Sequence, residues 1–201
     1  MIAIIDYGMG NLRSVQKALE KVGAQTVITQ DPNEIKKAQK IVLPGVGAMQ
    51  PAIEKLKQLG LVSVIKDSIR EGKPFLGICL GLQLLFEKSS EGGEVNGLGI
   101  LSGRVDRFKK LKVPHMGWNQ LKIKKMKNPL LKNIDNNANV YFCHSYYVKP
   151  TDKAVVASTT NYRVDFVSAV NRDNLFGVQF HPEKSQAVGL QILKNFVKLP
   201  D

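Results

Sequence analysis

Cysteine is scarce in this sequence, with two in 201 residues. Two cysteines are too few for the disulfide framework of a small secreted domain. No apolar run approaches the roughly 20 residues that cross a bilayer. The first residues also lack the basic segment and cleavage site of a signal peptide. We therefore expect a cytoplasmic protein without membrane contact, in which each cysteine serves either packing or chemistry.

Acidic residues are few relative to basic ones, with 17 Asp or Glu against 29 Lys or Arg and a net charge of +12. Positions 104–132 hold ten of the basic residues and one acid, Asp106. Nucleic-acid binding would require aromatic rings between these charges, and only Phe108 and Trp118 are present. We interpret the segment as a solvated face, with an anionic ligand or partner as the alternative, and expect no nucleic-acid partner.

Short apolar runs alternate with helical patterns through the first half of the chain. The patterns predict strands at 1–6, 27–28, 41–43 and 75–78, and helices at 12–22, 49–59, 61–71 and 80–88, with another helix opening at Asp31-Pro32. Strands joined by helices pair in parallel. The prediction is an α/β protein with a flavodoxin-like, open and mostly parallel sheet flanked by helices.

The second half favours strands separated by turn residues. Strands are predicted at 120–123, 140–144, 154–158, 166–170 and 175–179, before a helix at 186–198. These strands are interpreted as antiparallel additions to the parallel sheet. Neither repeats nor low-complexity linkers interrupt the chain, so we expect one domain over 1–201.

One cysteine lies in a pattern typical of a nucleophile. Gly77-Ile-Cys-Leu-Gly81 stands between a predicted strand and a predicted helix, which is the thiol counterpart of the nucleophile elbow. The helix start favours a thiolate at Cys79, and the amide of Leu80 can stabilise an oxyanion. The alternative is a buried structural cysteine.

A nucleophilic cysteine requires a base and a group that orients the base. His181 follows the strand at 175–179, and Glu183 lies two residues later, within reach of the imidazole. His144 is interpreted either as a wall of the pocket or as a structural histidine, and His115 has no adjacent acid. No metal site is expected because these histidines form no recognisable ligand set with Cys79 or Cys143, and Cys143 is expected to pack.

Several segments resemble a known family. Gly77-Ile-Cys-Leu-Gly-Leu-Gln83 and Gln179-Phe-His-Pro-Glu183 resemble the class I (triad) glutamine amidotransferases. Ile5-Asp-Tyr-Gly-Met-Gly-Asn-Leu-Arg-Ser-Val15, Leu43-Pro-Gly-Val-Gly-Ala48, Pro114-His-Met-Gly-Trp-Asn119 and His181-Pro-Glu-Lys-Ser185 are similar to one branch, the glutaminase subunits of imidazole glycerol phosphate synthase. The resemblance extends over essentially the whole chain.

The resemblance implies that glutamine is hydrolysed to glutamate and ammonia through a thioester on Cys79, with no cofactor. His181 would move the protons and Glu183 would orient it. Ammonia would pass to a barrel-shaped cyclase subunit, which makes imidazole glycerol phosphate and AICAR in histidine biosynthesis. By the same resemblance, Val46 and Gly47 join Leu80 in the oxyanion hole. Gln83, Ser145 and Tyr146 would line the glutamine pocket, and Asn11, Trp118 and Lys184 would face the partner.

Two related functions remain as alternatives. A paralogous subunit on the same scaffold could supply ammonia to another synthase, such as one that installs amidino groups on surface sugars. A stand-alone cysteine hydrolase of the related flavodoxin-like family is a further alternative, but His-Pro-Glu after a late strand is unusual there.

Trp118 also has two interpretations. It could be a core residue instead of a contact for a partner.

Overall fold

An eight-stranded sheet forms the centre of the computed structural model, which describes residues 1–125 and 127–200. The strands are β1 (Ile2–Ile5), β2 (Thr26–Thr29), β3 (Lys40–Gly45), β4 (Phe75–Cys79), β5 (Phe86–Ser89), β6 (Val95–Asn96), β7 (Leu101–Arg107), β8 (His115–Gln120), β9 (Lys122–Ile123), β10 (Asn139–His144), β11 (Tyr146–Pro150), β12 (Val156–Asn161), β13 (Asp165–Arg172) and β14 (Leu175–Val178). The α-helices are α1 (Leu12–Lys21), α2 (Pro32–Lys37), α3 (Met49–Gln58), α4 (Leu61–Arg70), α5 (Leu80–Leu84) and α6 (Gln186–Val197). Short 3-10 helices cover Pro129–Leu131, Lys153–Val155 and Pro182–Lys184.

The order of strands in the large sheet is β2-β1-β3-β4-β14-β13-β12-β9. The first five strands are parallel to one another, and the last three continue the sheet from β14 by antiparallel pairing. This arrangement confirms the predicted mostly parallel sheet with antiparallel additions from the second half. A four-stranded sheet (β11-β7-β5-β6) and the pair β10-β8 lie outside it.

Two hydrophobic clusters cover the two faces of the large sheet. Successive side chains of a strand point to opposite faces, so β1, β3 and β4, in which every residue is buried, supply both clusters. Ile4, Val42 and Leu76 belong to the cluster that contains the buried residues of α1 and α6. Their sequence neighbours Ile5 and Phe75 belong to the cluster with α3 and α4.

The start of α2 illustrates how local sequence sets an element. The Asp31 side chain accepts a hydrogen bond from the Asn33 amide at 2.8 Å, and Pro32 occupies the first helical position. An Asp cap satisfies an amide that the helix itself leaves unpaired, and proline has no amide to satisfy there. The predicted opening at Asp31-Pro32 is confirmed.

The predicted helix at 80–88 is wrong beyond Leu84. Residues Phe86–Ser89 form β5, which pairs parallel with β7 and antiparallel with β6. Leu82, Leu84, Leu85 and Phe86 are all fully buried, so this stretch has no solvent-facing side from which a helical period could be read. Residues 86–89 therefore form a strand because they pair with β7, and this tertiary contact outweighs the helical pattern of the local sequence.

Other boundaries in the second half also differ. The predicted strand at 120–123 is divided at Leu121, because β8 and β9 belong to different sheets. The predicted strand at 154–158 begins as a 3-10 helix and becomes β12 at Val156. Strands β7 and β11, which pair with each other, were not predicted. Within the described ranges, none of the helices combines the length and apolar character needed to cross a membrane.

We expect Phe86→Ala to lower the free energy of unfolding by about 3–5 kcal/mol, since it empties a fully buried aromatic position in β5. Urea denaturation followed by circular dichroism measures this change. Met116→Ala serves as the control, because Met116 is 61% exposed and its truncation should change stability by about 0.5 kcal/mol or less. Equal effects of the two substitutions would contradict the placement of Phe86 in the core.

Candidate active site

Three neighbouring parallel strands bring the predicted site residues to one edge of the sheet. In the register of β3 and β4, Gly45 is aligned with Cys79. In the register of β14 and β4, Val178 is aligned with Ile78, and the chain reaches His181 soon afterwards. The carboxyl ends of parallel strands are where sites form in open α/β sheets. Parallel pairing therefore places the segment after β3, the cysteine and the histidine together.

Cys79 has a backbone conformation that is unusual for a residue with a side chain. It lies between β4 and α5 with φ 55° and ψ −105°. A Cβ on Gly81 would lie 1.8 Å from the Leu43 carbonyl oxygen, and a Cβ on Gly77 would lie 2.7 Å from the Gly81 oxygen. Both positions must be glycine for the chain to turn this sharply. The strained conformation persists because its surroundings hold it in place.

A short buried hydrogen bond links the other two predicted catalytic residues. His181 Nδ1 lies 2.8 Å from Glu183 Oε1, and the two side chains are 4% and 2% exposed. The 3-10 turn Pro182–Lys184 brings the carboxylate back to the ring. Backbone and hydroxyl contacts fix this turn: the His181 amide donates to the Tyr141 carbonyl at 2.9 Å, and Ser185 Oγ donates to the His181 carbonyl at 2.7 Å.

The protonation of His181 depends on both neighbours. Burial, the largest influence, lowers the pKa of the imidazole, because a charged ring is poorly solvated there. Hydrogen bonds and charges from Cys79 and Glu183 together outweigh burial and raise the pKa of His181 to about 10. The arrangement thus favours a protonated imidazole between the Cys79 sulfur and the Glu183 carboxylate.

A cleft of about 470 Å³ opens beside Cys79 and His181. Its lining includes all the residues that were predicted to bind glutamine or to form the oxyanion hole, namely Val46, Gly47, Leu80, Gln83, Ser145 and Tyr146. Gln83 is buried, and its Nε2 donates to the Tyr146 carbonyl at 3.0 Å and to Gln179 Oε1 at 3.2 Å. The other end of its amide, Oε1, remains the end that can accept a hydrogen bond from a ligand.

Sequence reasoning missed Glu91, whose side chain also lines the cleft. Its Oε2 accepts a hydrogen bond from the Met49 amide at 2.8 Å, and its own amide is bonded to Ser89 Oγ at 3.2 Å. Glu91 stands in a turn before two glycines, where no periodic pattern marks a functional residue. Its place in the cleft wall depends on the tertiary fold of this turn, which the local sequence does not reveal.

Sequence reasoning also missed Gln179 and Tyr7. Gln179 is fully buried, and its Nε2 lies 3.7 Å from Cys79 Sγ. The sequence clue to Gln179 was that a polar residue directly follows the buried strand β14.

Tyr7 is buried, and its hydroxyl has no hydrogen-bond partner among the described residues. Burial, with the charge of Cys79, raises the pKa of Tyr7, and a Cβ on Gly45 would lie 2.1 Å from the hydroxyl.

The two remaining histidines are buried and bonded to each other. His115 Nδ1 lies 3.0 Å from His144 Nε2. Burial lowers the pKa of His115 to about 4 and is also the main cause that lowers the pKa of His144 to about 3. His144 lines the cleft and is also hydrogen-bonded to His115. It is therefore both a wall residue of the pocket and a structural histidine. Within the described ranges, no three His, Cys, Asp or Glu side chains are grouped as metal ligands would be.

Of the residues expected to face a partner, Lys184 lines the cleft, whereas Asn11 and Trp118 lie outside its lining. Trp118 is 48% exposed and packs edge-on against Tyr141, so its interpretation as a core residue is wrong. Lys184 Nζ lies 5.8 Å from the centre of the Tyr141 ring. Asn11 caps α1 by accepting from the Ser14 amide, and it lines a narrow crevice with Lys184 and Val46.

The basic segment at 104–132, of which Met126 lies outside the described residues, is largely a solvated face. Nine of its ten basic residues are exposed, and Lys125 donates to the Asn171 carbonyl at 3.1 Å. Asp106 pairs with Arg104 at 2.6 Å and with Lys149 at 2.8 Å. Phe108 is buried, which removes one of the two aromatic rings that nucleic-acid binding would require.

Known proteins are similar to this chain in sequence and in fold. The family model described as "Glutamine amidotransferase class-I" matches residues 3–199. The imidazole glycerol phosphate synthase subunit HisH of Geobacter sulfurreducens is 56% identical over 203 residues, covering 97% of both chains. The protein of the same name from Geobacter metallireducens is 55% identical, covering 97% of this chain and 96% of the relative.

A solved structure titled "Crystal structure of glutamine amidotransferase" has a TM-score of 0.78 at 15% identity, covering 99% of this chain and all of the other. At that identity the likeness supports the fold alone. The family match and the relatives go further, because they extend over nearly the whole length of this chain. The chain therefore belongs to the class I glutamine amidotransferases.

Proposed function

We propose that this protein is the glutaminase subunit of imidazole glycerol phosphate synthase, with Cys79 as nucleophile, His181 as acid and base, and Glu183 as the residue that orients His181. The observation that carries the chemistry is the buried His181–Glu183 hydrogen bond of 2.8 Å beside a cysteine at a strained strand-to-helix turn. The printed names of the relatives support the choice of synthase.

In the first half of the cycle, Cys79 Sγ attacks the side-chain carbonyl carbon of glutamine. The carbon–nitrogen bond then breaks, and the amide nitrogen leaves with the proton that His181 carries. A γ-glutamyl thioester on Cys79 and ammonia are the products of this half. Because the pKa of His181 is raised to about 10, the proton is in place at neutral pH before glutamine binds.

The second half of the cycle requires His181 to act as a base. The interaction between Cys79 and His181 also explains how His181 changes from an acid to a base. Cys79 raises the pKa of His181 by a hydrogen bond and by its negative charge. Once the sulfur is acylated, that charge is gone and the pKa of His181 falls. The neutral imidazole can then take a proton from water as the water attacks the thioester, which releases glutamate and restores the starting pair.

The developing oxyanion would be stabilised by backbone amides on two sides of the cleft. Leu80 follows the nucleophile at the start of α5, while Val46 and Gly47 follow β3 on the opposite side. Gly47 has φ 92°, a conformation that favours glycine. Amides that surround the reacting carbon can stabilise negative charge without a further charged group.

The glutamine pocket would combine Gln83, Ser145 and Tyr146 with Glu91. The α-ammonium of glutamine requires an anionic or strongly accepting partner, and Glu91 places a carboxylate in the cleft wall. The Met49 amide holds one oxygen of that carboxylate. Gln83 would add an acceptor through Oε1, because its Nε2 donates to the Tyr146 carbonyl and to Gln179 Oε1.

Ammonia released into water would be diluted and protonated, so a docked acceptor protein is chemically reasonable. Val46, in the cleft lining, is an apolar side chain with 43% exposure. Trp118 at 48% and Met116 at 61% exposure lie on β8, which pairs with β10, a strand that contributes Cys143 and His144 to the cleft. Large exposed aromatic residues are typical anchors of an interface. We propose that a cyclase subunit, which uses the ammonia, contacts these apolar side chains together with Asn11 and Lys184.

The two activities can be separated by substitution of the nucleophile. In the complex with a cyclase subunit, Cys79→Ala should abolish synthesis from glutamine, because no thioester can form, while synthesis from ammonium salts persists. Cys143→Ser is the matched control, since it alters the other free cysteine and should retain both activities. Equal loss of both activities in Cys79→Ala would mean that Cys79 serves the fold and not the chemistry.

Glu183→Gln tests how His181 is kept protonated. The substitution preserves the shape of the side chain but removes the negative charge and weakens the hydrogen bond that raise the pKa of His181. We expect the pKa of His181 to fall from about 10, so that the imidazole loses its proton at lower pH. Titration of the imidazole nitrogens by NMR measures this, with Glu91→Gln as control. A pKa of His181 unchanged by Glu183→Gln would contradict the assigned role.

A further inference from the structure

The side chain of Gln179 makes contacts that the proposed reaction does not yet use. It is fully buried, and its Nε2 donates towards Cys79 Sγ at 3.7 Å. Its Oε1 accepts from Gln83 Nε2 at 3.2 Å. A buried amide can stabilise a thiolate only if its NH₂ end faces the sulfur, so the orientation of this side chain decides its effect.

A backbone carbonyl fixes that orientation. The Tyr146 carbonyl oxygen can only accept hydrogen bonds, so Gln83 must present its NH₂ group to it, at 3.0 Å. The same NH₂ group reaches Gln179, which must therefore present its oxygen to Gln83. The NH₂ group of Gln179 is then left to face Cys79. Reversing either amide would place two acceptors or two donors against each other.

The histidine pair holds the same carbonyl from the other side. His144 Nδ1 lies 2.7 Å from the Tyr146 oxygen and must carry a hydrogen. In the neutral ring, His144 Nε2 then accepts from His115 Nδ1 at 3.0 Å, and His115 Nε2 accepts from Asn119 Nδ2 at 3.2 Å. Asn119 Nδ2 ends the chain on the Asn161 carbonyl at 2.9 Å. Every donor in this series has an acceptor.

We propose that Gln179 is a fourth residue of the catalytic centre, whose amide N–H stabilises the Cys79 thiolate and whose orientation is set through Gln83 by the Tyr146 carbonyl. This role rests on the proposed function of Cys79 as a nucleophile. The hydrogen bond strengthens when the sulfur is charged and weakens when it is acylated, as charge-assisted hydrogen bonds do. Gln179 therefore favours the attacking form of the thiol, independently of the proton held by His181.

Several groups face the same sulfur and must be separated from Gln179 in a test. His181 is the cation beside it, with Glu183 behind the ring. Tyr7 interacts with the charge of Cys79, and the Cys143 carbonyl lies 3.9 Å from Sγ. Substitution of Gln179 leaves all of these in place.

The test is the pH dependence of Cys79 alkylation by iodoacetamide, followed on the Cys79 peptide by mass spectrometry so that Cys143 is counted separately. Gln179→Met keeps the length of the side chain and removes the donor. We expect alkylation of Cys79 at low pH to become about tenfold slower and the pH of half-maximal rate to rise by about one unit. Gln179→Glu should raise the pH of half-maximal rate further, since a carboxylate can still accept a hydrogen bond from Gln83 but repels the thiolate.

Ser168→Ala is the matched control for a merely structural effect. Its hydroxyl is buried and bonded to Ser158 Oγ at 2.9 Å, and its carbonyl accepts from the Gln179 amide. It should change thermal stability without moving the alkylation profile. Gln179→Glu retains a polar side chain and provides the measurement if methionine destabilises the fold.

The alkylation experiment distinguishes failure of the proposed function from failure of the inference about Gln179. If Cys79 of the unsubstituted protein is alkylated at neutral pH no faster than an ordinary thiol, the proposed nucleophile itself is wrong. If Cys79 reacts readily but its pH profile is the same in both folded Gln179 variants, the inference about Gln179 is overturned while the proposed function stands.

Discussion

The backbone of Cys79, held at φ 55° between a strand and a helix, is the constraint on which the site depends. That conformation exists because Gly77 and Gly81 leave no side chain where other backbone must pass. Parallel pairing with β3 and β14 then fixes what lies next to the sulfur. The geometry of the site is therefore a property of the sheet, and the surrounding loops contribute the pocket walls.

In the proposed mechanism, charge coupling would turn this geometry into a cycle of proton transfers. His181 is buried, which opposes its protonation, but Cys79 and Glu183 more than compensate. A negative charge on Cys79 raises the pKa of His181, and loss of that charge on acylation would lower it again. In the proposed cycle, one histidine would then serve as acid before acylation and as base after it. Glu183 would act in both halves of the cycle, because it contacts Nδ1 of the ring.

Local signals predicted much of the first half of the fold and singled out the three residues of the proposed triad, which the fold brings together. Strand and helix periods located β1, β3 and β4, and the glycine spacing around Cys79 marked the turn. The 80–88 helix failed beyond Leu84 because every apolar residue there is buried, so local sequence could not show that Phe86 pairs with β7. Glu91 and Gln179 were missed for a related reason. Their roles arise from contacts across the fold, and no local period encodes such contacts.

The most direct test of the account is to quench the protein with acid during turnover of glutamine and map any acyl group by peptide mass spectrometry. The account predicts a γ-glutamyl group on Cys79, removable by hydroxylamine and absent after Cys79→Ala. Glutamate formation with no acyl group on Cys79 under conditions that trap thioesters, or acylation of Cys143 instead, would contradict it.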